Sequence, residues 1–455
     1  MSTRIGRTVA VVIGAGIAGL AATRVLADRY EQVVLLDRDD LPDSATPRRG
    51  VPQGHHGHVL LVAGQRALEE LFPGLSDELV AAGAVPFDSG LGLRFHRFGS
   101  LWPAVPSGLR LISLSRPLLE LALRRRVAAL PNVTVRPGAA VSGLLPAGPD
   151  WTAGPTGPVG PRIGGVVLER GEPLAADLVV DCSGRGGRSD RWLAALGLPV
   201  PEVVEVKVGV GYATRLVRRT ASSACELEGG QAMLLLPTPP AERRVGLVLP
   251  IEGDRWLVSV GGWHGDHARD GADGFLSFAR ELPHPAFAAV AGGCEPLTGV
   301  ATFRFPSSRR RLFERLRRPP AGYLALGDAV CSFNPIYGQG MTCAVLDARA
   351  LGETLDRHPG ASAAMVRDFY RAAAKVISTP WRFAVGGDFA FPETTGPRPR
   401  AVHLLNRYSR RVQLAARVSP EVRRAFTGVQ QLVLPPSALF APPVLARVLR
   451  GAIAK

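Results

Sequence analysis

At 455 residues, with 46% hydrophobic and 20% charged side chains, the chain is too long for one small core and too apolar to be disordered, so two or three structural units are expected. The formal charge of +15 rests almost wholly on arginine, Lys207, Lys375 and Lys455 being the only lysines. The arginines are scattered, with no interleaved aromatic residues and no nucleic-acid module, which argues for a solvated basic surface and against a nucleic-acid partner. Five cysteines (Cys182, Cys225, Cys294, Cys331, Cys343) are odd in number and form no CxxC pair, which fits a reducing cytoplasm. The opening residues lack a secretory signal, and no apolar run is long enough to span a bilayer, so a cytoplasmic protein without membrane association is expected.

The first element in chain order carries the strongest local signal. Val9 to Ile13 read as a buried parallel strand, Gly14, Gly16 and Gly19 form GxGxxG, Leu20 to Leu26 have helical spacing, and a second strand, Val33 to Leu36, ends on Asp37. The glycines allow a tight turn, a close approach of pyrophosphate to backbone, and close helix–strand packing. The helix N-terminus then faces the phosphates, and Asp37 is placed to hydrogen-bond ribose hydroxyls. The motif alone leaves NAD and FAD open.

Further along, Leu145 to Gly165 is rich in Gly and Pro and reads as a long mobile loop. Residues 200 to 310 alternate apolar and polar in several runs and read as strands, with "EGDR" at a hairpin turn. The stretch "LALGDAVCSFNPIYGQGMTCA", residues 324 to 344, runs a strand into Asp328, then Pro335, Gly338, Gly340 and Met341 at a helix mouth. An extended dinucleotide needs a second segment at its far end, and Asp328 suits the hydroxyls of a ribityl chain. Backbone N–H groups of Gly338, Gly340 and Met341 suit the electron-rich edge of a reduced isoalloxazine, while Pro335 stiffens the loop over the ring. This breaks the tie in favour of FAD. From Ser362 onward helical spacing dominates. The final apolar and basic stretch, broken by four prolines, is expected to pack against the strand-rich unit.

The late loop, together with "SRPLLELAL" at Ser115 to Leu123, resembles the para-hydroxybenzoate hydroxylase-like FAD-dependent monooxygenases. "RRGVPQGHHGHVLL", "GRGGRSDRWLAALG" and "LVLPIEGDRWLVSVGGW" look like the bacterial group that includes the polyether and polyketide flavin epoxidases. The resemblance implies an α/β fold: a Rossmann-like FAD-binding domain (1–70, 108–200, 315–360), an inserted β-sheet substrate domain (71–107, 201–314) and a C-terminal helical region (361–455). It also implies that Arg116 reaches the flavin, that Val141 contacts adenine through its backbone, that Arg38 lies near the adenine end, that Arg49 touches the cofactor, and that Pro335 and Tyr337 line the flavin. His58 would position the loop near it. The "GADG" motif of that family is replaced by Asp181-Cys182-Ser183-Gly184, so its nicotinamide role is not transferred, and no metal site is expected. The activity implied is insertion of one oxygen atom from O2, through a flavin C4a-hydroperoxide, into a small apolar secondary metabolite. NAD(P)H or a separate reductase would supply the electrons. Olefin epoxidation is favoured, because an alkene needs no base; aromatic hydroxylation and flavin oxidase or dehydrogenase chemistry are the alternatives.

Overall fold

A computed structural model of the protein describes residues 8–148, 161–225 and 227–450; most of the glycine- and proline-rich Leu145–Gly165 stretch lies outside the described residues. Five parallel strands lie side by side in the order Tyr323–Ala325, Leu178–Asp181, Val9–Ile13, Gln32–Leu36, Val133–Arg136. Their near-continuous apolar runs follow from being covered on both faces: Val11, Val12, Leu35, Val180 and Leu324 are fully buried. Helix Ile17–Ala27 packs against both Arg116–Ala128 and Gly340–Arg357, and all three contribute to this core. The chain crosses over beside Val9–Ile13, so the carboxyl ends of Val9–Ile13, Leu178–Asp181 and Tyr323–Ala325 open at one edge, the usual place for a dinucleotide in such a sheet. At normal strand spacing the turn after Ile13 and the turn after Ala325, two strands apart, emerge about 10 Å from each other.

An eight-stranded sheet forms the second layer. Its order is Cys331–Ser332, Ala301–Arg311, Val203–Arg218, Arg255–Gly262, Arg244–Ile251, Ala232–Leu235, Leu93–Arg97, Ser100–Leu101. The "EGDR" hairpin is present, with Gly253 and Asp254 at positive φ. Helices Gly271–Arg280 and Ala286–Gly293 cover part of one face through Phe275 and Phe287, packed with Trp256 and Val258.

The two layers share segments that the sequence assigns to one unit each. Within 71–107, Phe72, Leu75 and Leu79 belong to the parallel-sheet core, whereas Phe95 and Trp102 lie on the edge of the large sheet. The 26-residue helix Ala363–Asp388 divides likewise: Met365, Phe369 and Ile377 pack in the parallel-sheet core, while Val385 near its end packs with Trp263 and Phe391 of the second layer. An amphipathic pattern shows which face of a helix is buried, not what buries it. Helices Val402–Val418, Pro420–Gln430 and Pro442–Arg450 close over Phe95 and Trp102, with Val444 and Val448 in that cluster.

Candidate cofactor site

The three motif glycines have different physical reasons. Gly14 sits at φ +97, and a Cβ there would lie 2.6 Å from the Cys182 carbonyl oxygen. A Cβ on Gly19 would lie 1.8 Å from the Gly14 carbonyl oxygen, so Gly14 and Gly19 are demanded by the fold itself. Gly16 is otherwise. Its backbone is extended (φ −80, ψ −177), and the nearest atoms to a Cβ are the Nη2 atoms of Arg48 and Arg116, each 3.9 Å away. Gly16 is also the N-cap of Ile17–Ala27 and supplies no side-chain cap. An open backbone, an uncapped helix N-terminus and two converging guanidinium groups are features that suit a diphosphate.

Asp37 ends the second strand and is buried. Its Oδ2 accepts hydrogen bonds from Ala15 N (2.7 Å) and Arg48 Nη1 (2.9 Å), and its Oδ1 accepts one from Asp39 N (2.9 Å). Arg48 also donates to Asp39 and Glu120, and Glu120 accepts from Arg116 Nε at 2.8 Å, a pairing set by their i,i+4 spacing at the start of one helix. A chain of alternating charge therefore runs from Asp37 through Arg48 and Glu120 to Arg116. Arg48 is its hub, with a side chain only 7% exposed, whereas neighbouring Arg49 and also Arg38 are exposed. Val141 opens a strand whose approach is pinned to the same acid end, with Gly138 N and Ala139 N donating to the carbonyls of Asp39 and Asp37. Arg48→Met should leave three carboxylates facing one another and lower stability by about 3 kcal/mol or more. Arg48→Lys, which keeps the charge but not the fork, should fall between, as read by chemical denaturation.

His58 continues the chain. Its Nε2 lies 3.2 Å from Arg116 Nη1, which can only donate, so Nδ1 carries the proton and donates to the His56 carbonyl at 3.0 Å. Burial, with Arg116 beside it, holds the imidazole neutral by pushing its pKa down to about 3. His56, fully buried with Nδ1 2.8 Å from Thr214 Oγ1, is driven down to about 4, chiefly by burial. Thr214 in turn bonds Ser259, so this pair ties the His55–His58 loop to the large sheet. The helix bearing Arg116 is tied to that sheet too: Ser115, its N-cap, gives N–H and Oγ–H to the two oxygens of Glu252 in the hairpin, at 2.9 and 2.6 Å.

At the far end, Asp328 follows the Tyr323–Ala325 strand. A Cβ on Gly340 would lie 3.7 Å from Asp328 Oδ1, which places the carboxyl at the mouth of helix Gly340–Arg357. Among the described residues no hydrogen bond reaches that carboxyl. Burial pushes its pKa up from the ordinary value, against the pull of Arg116 and Arg185. Gln339, N-cap of the same helix, provides no side-chain cap, and its buried Oε1 is without a partner. Gly338 adopts φ +67 after the short turn Pro335–Tyr337, and its N–H, expected to face the ring, instead closes that turn by donating to the Pro335 carbonyl at 3.0 Å; Met341 is buried in the first helical turn. Pro335 is exposed and Tyr337 half-buried. An acid and an amide oxygen without partners, beside free helical N–H groups, fit the hydroxyls and the electron-rich ring edge of FAD.

The Asp181-Cys182-Ser183-Gly184 segment is consumed internally. Asp181 is fully buried and accepts from Ser183, Ser189 and Tyr323, so it knots strand ends together. Arg48, Glu120 and Gln339 join the site although no sequence motif assigns them a role there. The i,i+4 pair Arg116/Glu120 was the one legible signal for Glu120, and nothing local distinguishes Arg48 from Arg49.

The same fold is found in solved structures. A flavoprotein/dehydrogenase from Cytophaga hutchinsonii aligns at TM-score 0.67 and 14% identity, over 98% of this chain and 98% of that one. PqsL, a probable FAD-dependent monooxygenase from Pseudomonas aeruginosa, aligns at TM-score 0.59 and 17% identity, over 84% of this chain and 98% of that one. The architecture is thus the α/β, Rossmann-like fold that these two solved proteins share. No protein-family model matches the chain. "Protein Rv3254" of Mycobacterium tuberculosis (strain ATCC 25618 / H37Rv) is 34% identical over 419 residues, 88% of this chain and 85% of that protein. The chain belongs to the family of that protein. Among the described residues no helix is long and apolar enough to cross a membrane.

Proposed function

We propose that the protein is an FAD-dependent monooxygenase that transfers one oxygen atom from O2 to a small apolar molecule, with epoxidation of an olefin in polyketide-type metabolism as the preferred reaction. In this reading Gly16, Arg48 and Arg116 hold the diphosphate, Asp37 and Val141 the adenosine half, Asp328 the ribityl chain, and the N–H groups of Gly340 and Met341 the ring edge. Bound FAD, reduced by NAD(P)H or a separate reductase, supplies the activation of O2. In this reading the protein's part is to set an apolar wall beside that chemistry and so limit its loss to water.

The observation that carries the reading is the wall facing the ring-end loop. Tyr212 and Phe303 of the large sheet, 5.5 Å apart between ring centres, pack with Ile336, Tyr337 and Trp381 in one apolar cluster. Two titratable groups at this wall are kept uncharged: His56 by its depressed pKa, and Tyr212 because burial, opposed by Arg116, pushes its hydroxyl up. A neutral, largely apolar wall suits a substrate whose own π electrons do the bonding, and a phenol that must first lose a proton suits it less.

A dehydrogenase or oxidase remains the second reading, because the Cytophaga neighbour is described as a flavoprotein/dehydrogenase. The separating experiment supplies FAD, NAD(P)H with and without a flavin reductase, and oxygen-18 gas to the purified protein, with candidate polyenes and phenols. Monooxygenation places one heavy oxygen atom in the product, an epoxide if the preferred reaction is right. Unlabelled, dehydrogenated product with stoichiometric hydrogen peroxide would replace this proposal with the second reading.

A further inference from the structure

Asp388 is the last residue of the long helix Ala363–Asp388 and is fully buried. Three donors from two different elements converge on its Oδ1: Trp263 Nε1 at 3.0 Å, Asn334 Nδ2 at 2.8 Å and Tyr337 OH at 3.2 Å. Its Oδ2 is buried without a partner. Trp263 follows the Arg255–Gly262 strand of the large sheet, whereas Asn334 and Tyr337 bracket the turn that leads into Gly340–Arg357. Asn334 is fully spoken for: its N–H donates to Ser308 Oγ, its Oδ1 accepts from Ile336 N, and its amide nitrogen reaches Asp388. Gly387 leaves room for the Tyr337 hydroxyl, since a Cβ there would lie 2.3 Å from it. Outside this knot, Arg97 acts electrostatically on Tyr337, and His264 meets Asp388 only through Thr394, whose hydroxyl donates to the Asp388 carbonyl oxygen.

We propose that Asp388 is a positioning residue for the cofactor, fixing the Asn334–Gly338 turn against the large sheet and thereby the ring-end N–H groups that follow it. This rests on the FAD reading above. A hydrophobic contact would hold the turn as well in bulk terms, but one shared oxygen sets the directions of an amide and a phenol at once. The carboxyl is also a proton site. Burial raises its pKa to about 7, while the bonds from Trp263, Asn334 and Tyr337 favour the ionised form and so pull the other way. The bonds strengthen on ionisation, so the turn is held firmly above that pH and loosens below it.

The sign for stability is the reverse of the sign for order. A carboxyl with a folded-state pKa above its ordinary 3.8 favours the fold most at low pH, and that contribution is lost as pH rises through about 7. Asp388→Asn keeps the shape and the acceptor but cannot titrate. Its thermal midpoint relative to the parent should climb between pH 4 and 7 and level off above.

The deciding readout needs no flavin: the fluorescence of Trp263, isolated as the difference between the parent and Trp263→Phe, followed against pH. A step centred near pH 7 is expected in the parent and not in Asp388→Asn, and FAD affinity should show the same step in the parent alone. Tyr337→Phe, which removes one donor to the ionised form, should move the midpoint upward; it also serves if Asp388→Asn fails to fold. No step in the parent, a step that survives in Asp388→Asn, or an unmoved midpoint in Tyr337→Phe overturns the proposal. If no protein binds FAD at any pH while the fluorescence step behaves as described, the FAD reading falls and the Asp388 knot stands.

Discussion

Gly16→Val should give a folded, soluble, colourless protein. At φ −80 the backbone of Gly16 is open to any L-residue, and a Cβ meets nothing nearer than two flexible guanidinium tips at 3.9 Å. The unfolding free energy should therefore change by no more than about 1 kcal/mol, the usual scale of an N-cap exchange. The cofactor meets a different situation, because the isopropyl group stands where the diphosphate must approach helix Ile17–Ala27. Losing two charge-assisted hydrogen bonds costs about 3 kcal/mol or more, so FAD affinity should fall at least about 100-fold. Gly19→Ala is the contrasting control. Its Cβ would sit 1.8 Å from a backbone oxygen, so it should lose cofactor and fold together. Equilibrium dialysis with FAD, beside thermal denaturation without it, separates the two.

Asp328→Asn is expected to move stability and binding in opposite directions. Without flavin, the Asp328 carboxyl is a charge that burial disfavours and that no hydrogen bond compensates, with only Arg116 and Arg185 drawing it toward ionisation. Its folded-state pKa is raised, so the group's contribution to stability is lost as pH rises above the ordinary carboxyl value. The amide removes that loss, and the flavin-free variant should melt at a higher temperature than the parent at neutral pH, with the gap closing in acid. A carboxylate bonded to ribityl hydroxyls contributes about 1.5–3 kcal/mol, so the same variant should bind FAD about 10- to 100-fold more weakly. A side chain kept for structure alone would not weaken FAD binding when replaced by its isostere.

Much of the geometry of the candidate site was legible because it is local. The strand–glycine–helix unit at Val9 to Leu26 and the acid at Asp37 are adjacent in sequence and obey short-range geometry. That Asp328, Gly338 and Gly340 stand together at a helix mouth could be read because they lie within thirteen residues of one another between a strand and a helix. What escaped is non-local. Whether Arg48 or Arg49 turns inward is decided by Asp39 and by Glu120, the latter 72 residues away. Asp388 draws its meaning from Trp263, 125 residues back along the chain, and from an asparagine and a tyrosine in the ring-end loop. The division of residues 71–107 and 361–388 between two cores has the same origin, since amphipathic spacing marks a buried face without naming its partner.

The central claim is that the Gly16 turn and the Asp328–Met341 segment hold opposite ends of one FAD molecule. The most direct measurement is titration of flavin-free protein with FAD and, in parallel, with riboflavin and with ADP, by calorimetry. The account predicts one site for FAD, with the two halves each binding far more weakly and to the same protein molecule at once; Gly16→Val should abolish only the ADP isotherm and Asp328→Asn should weaken only that of riboflavin. No heat with FAD, or loss of both half-ligands from either substitution, would contradict it.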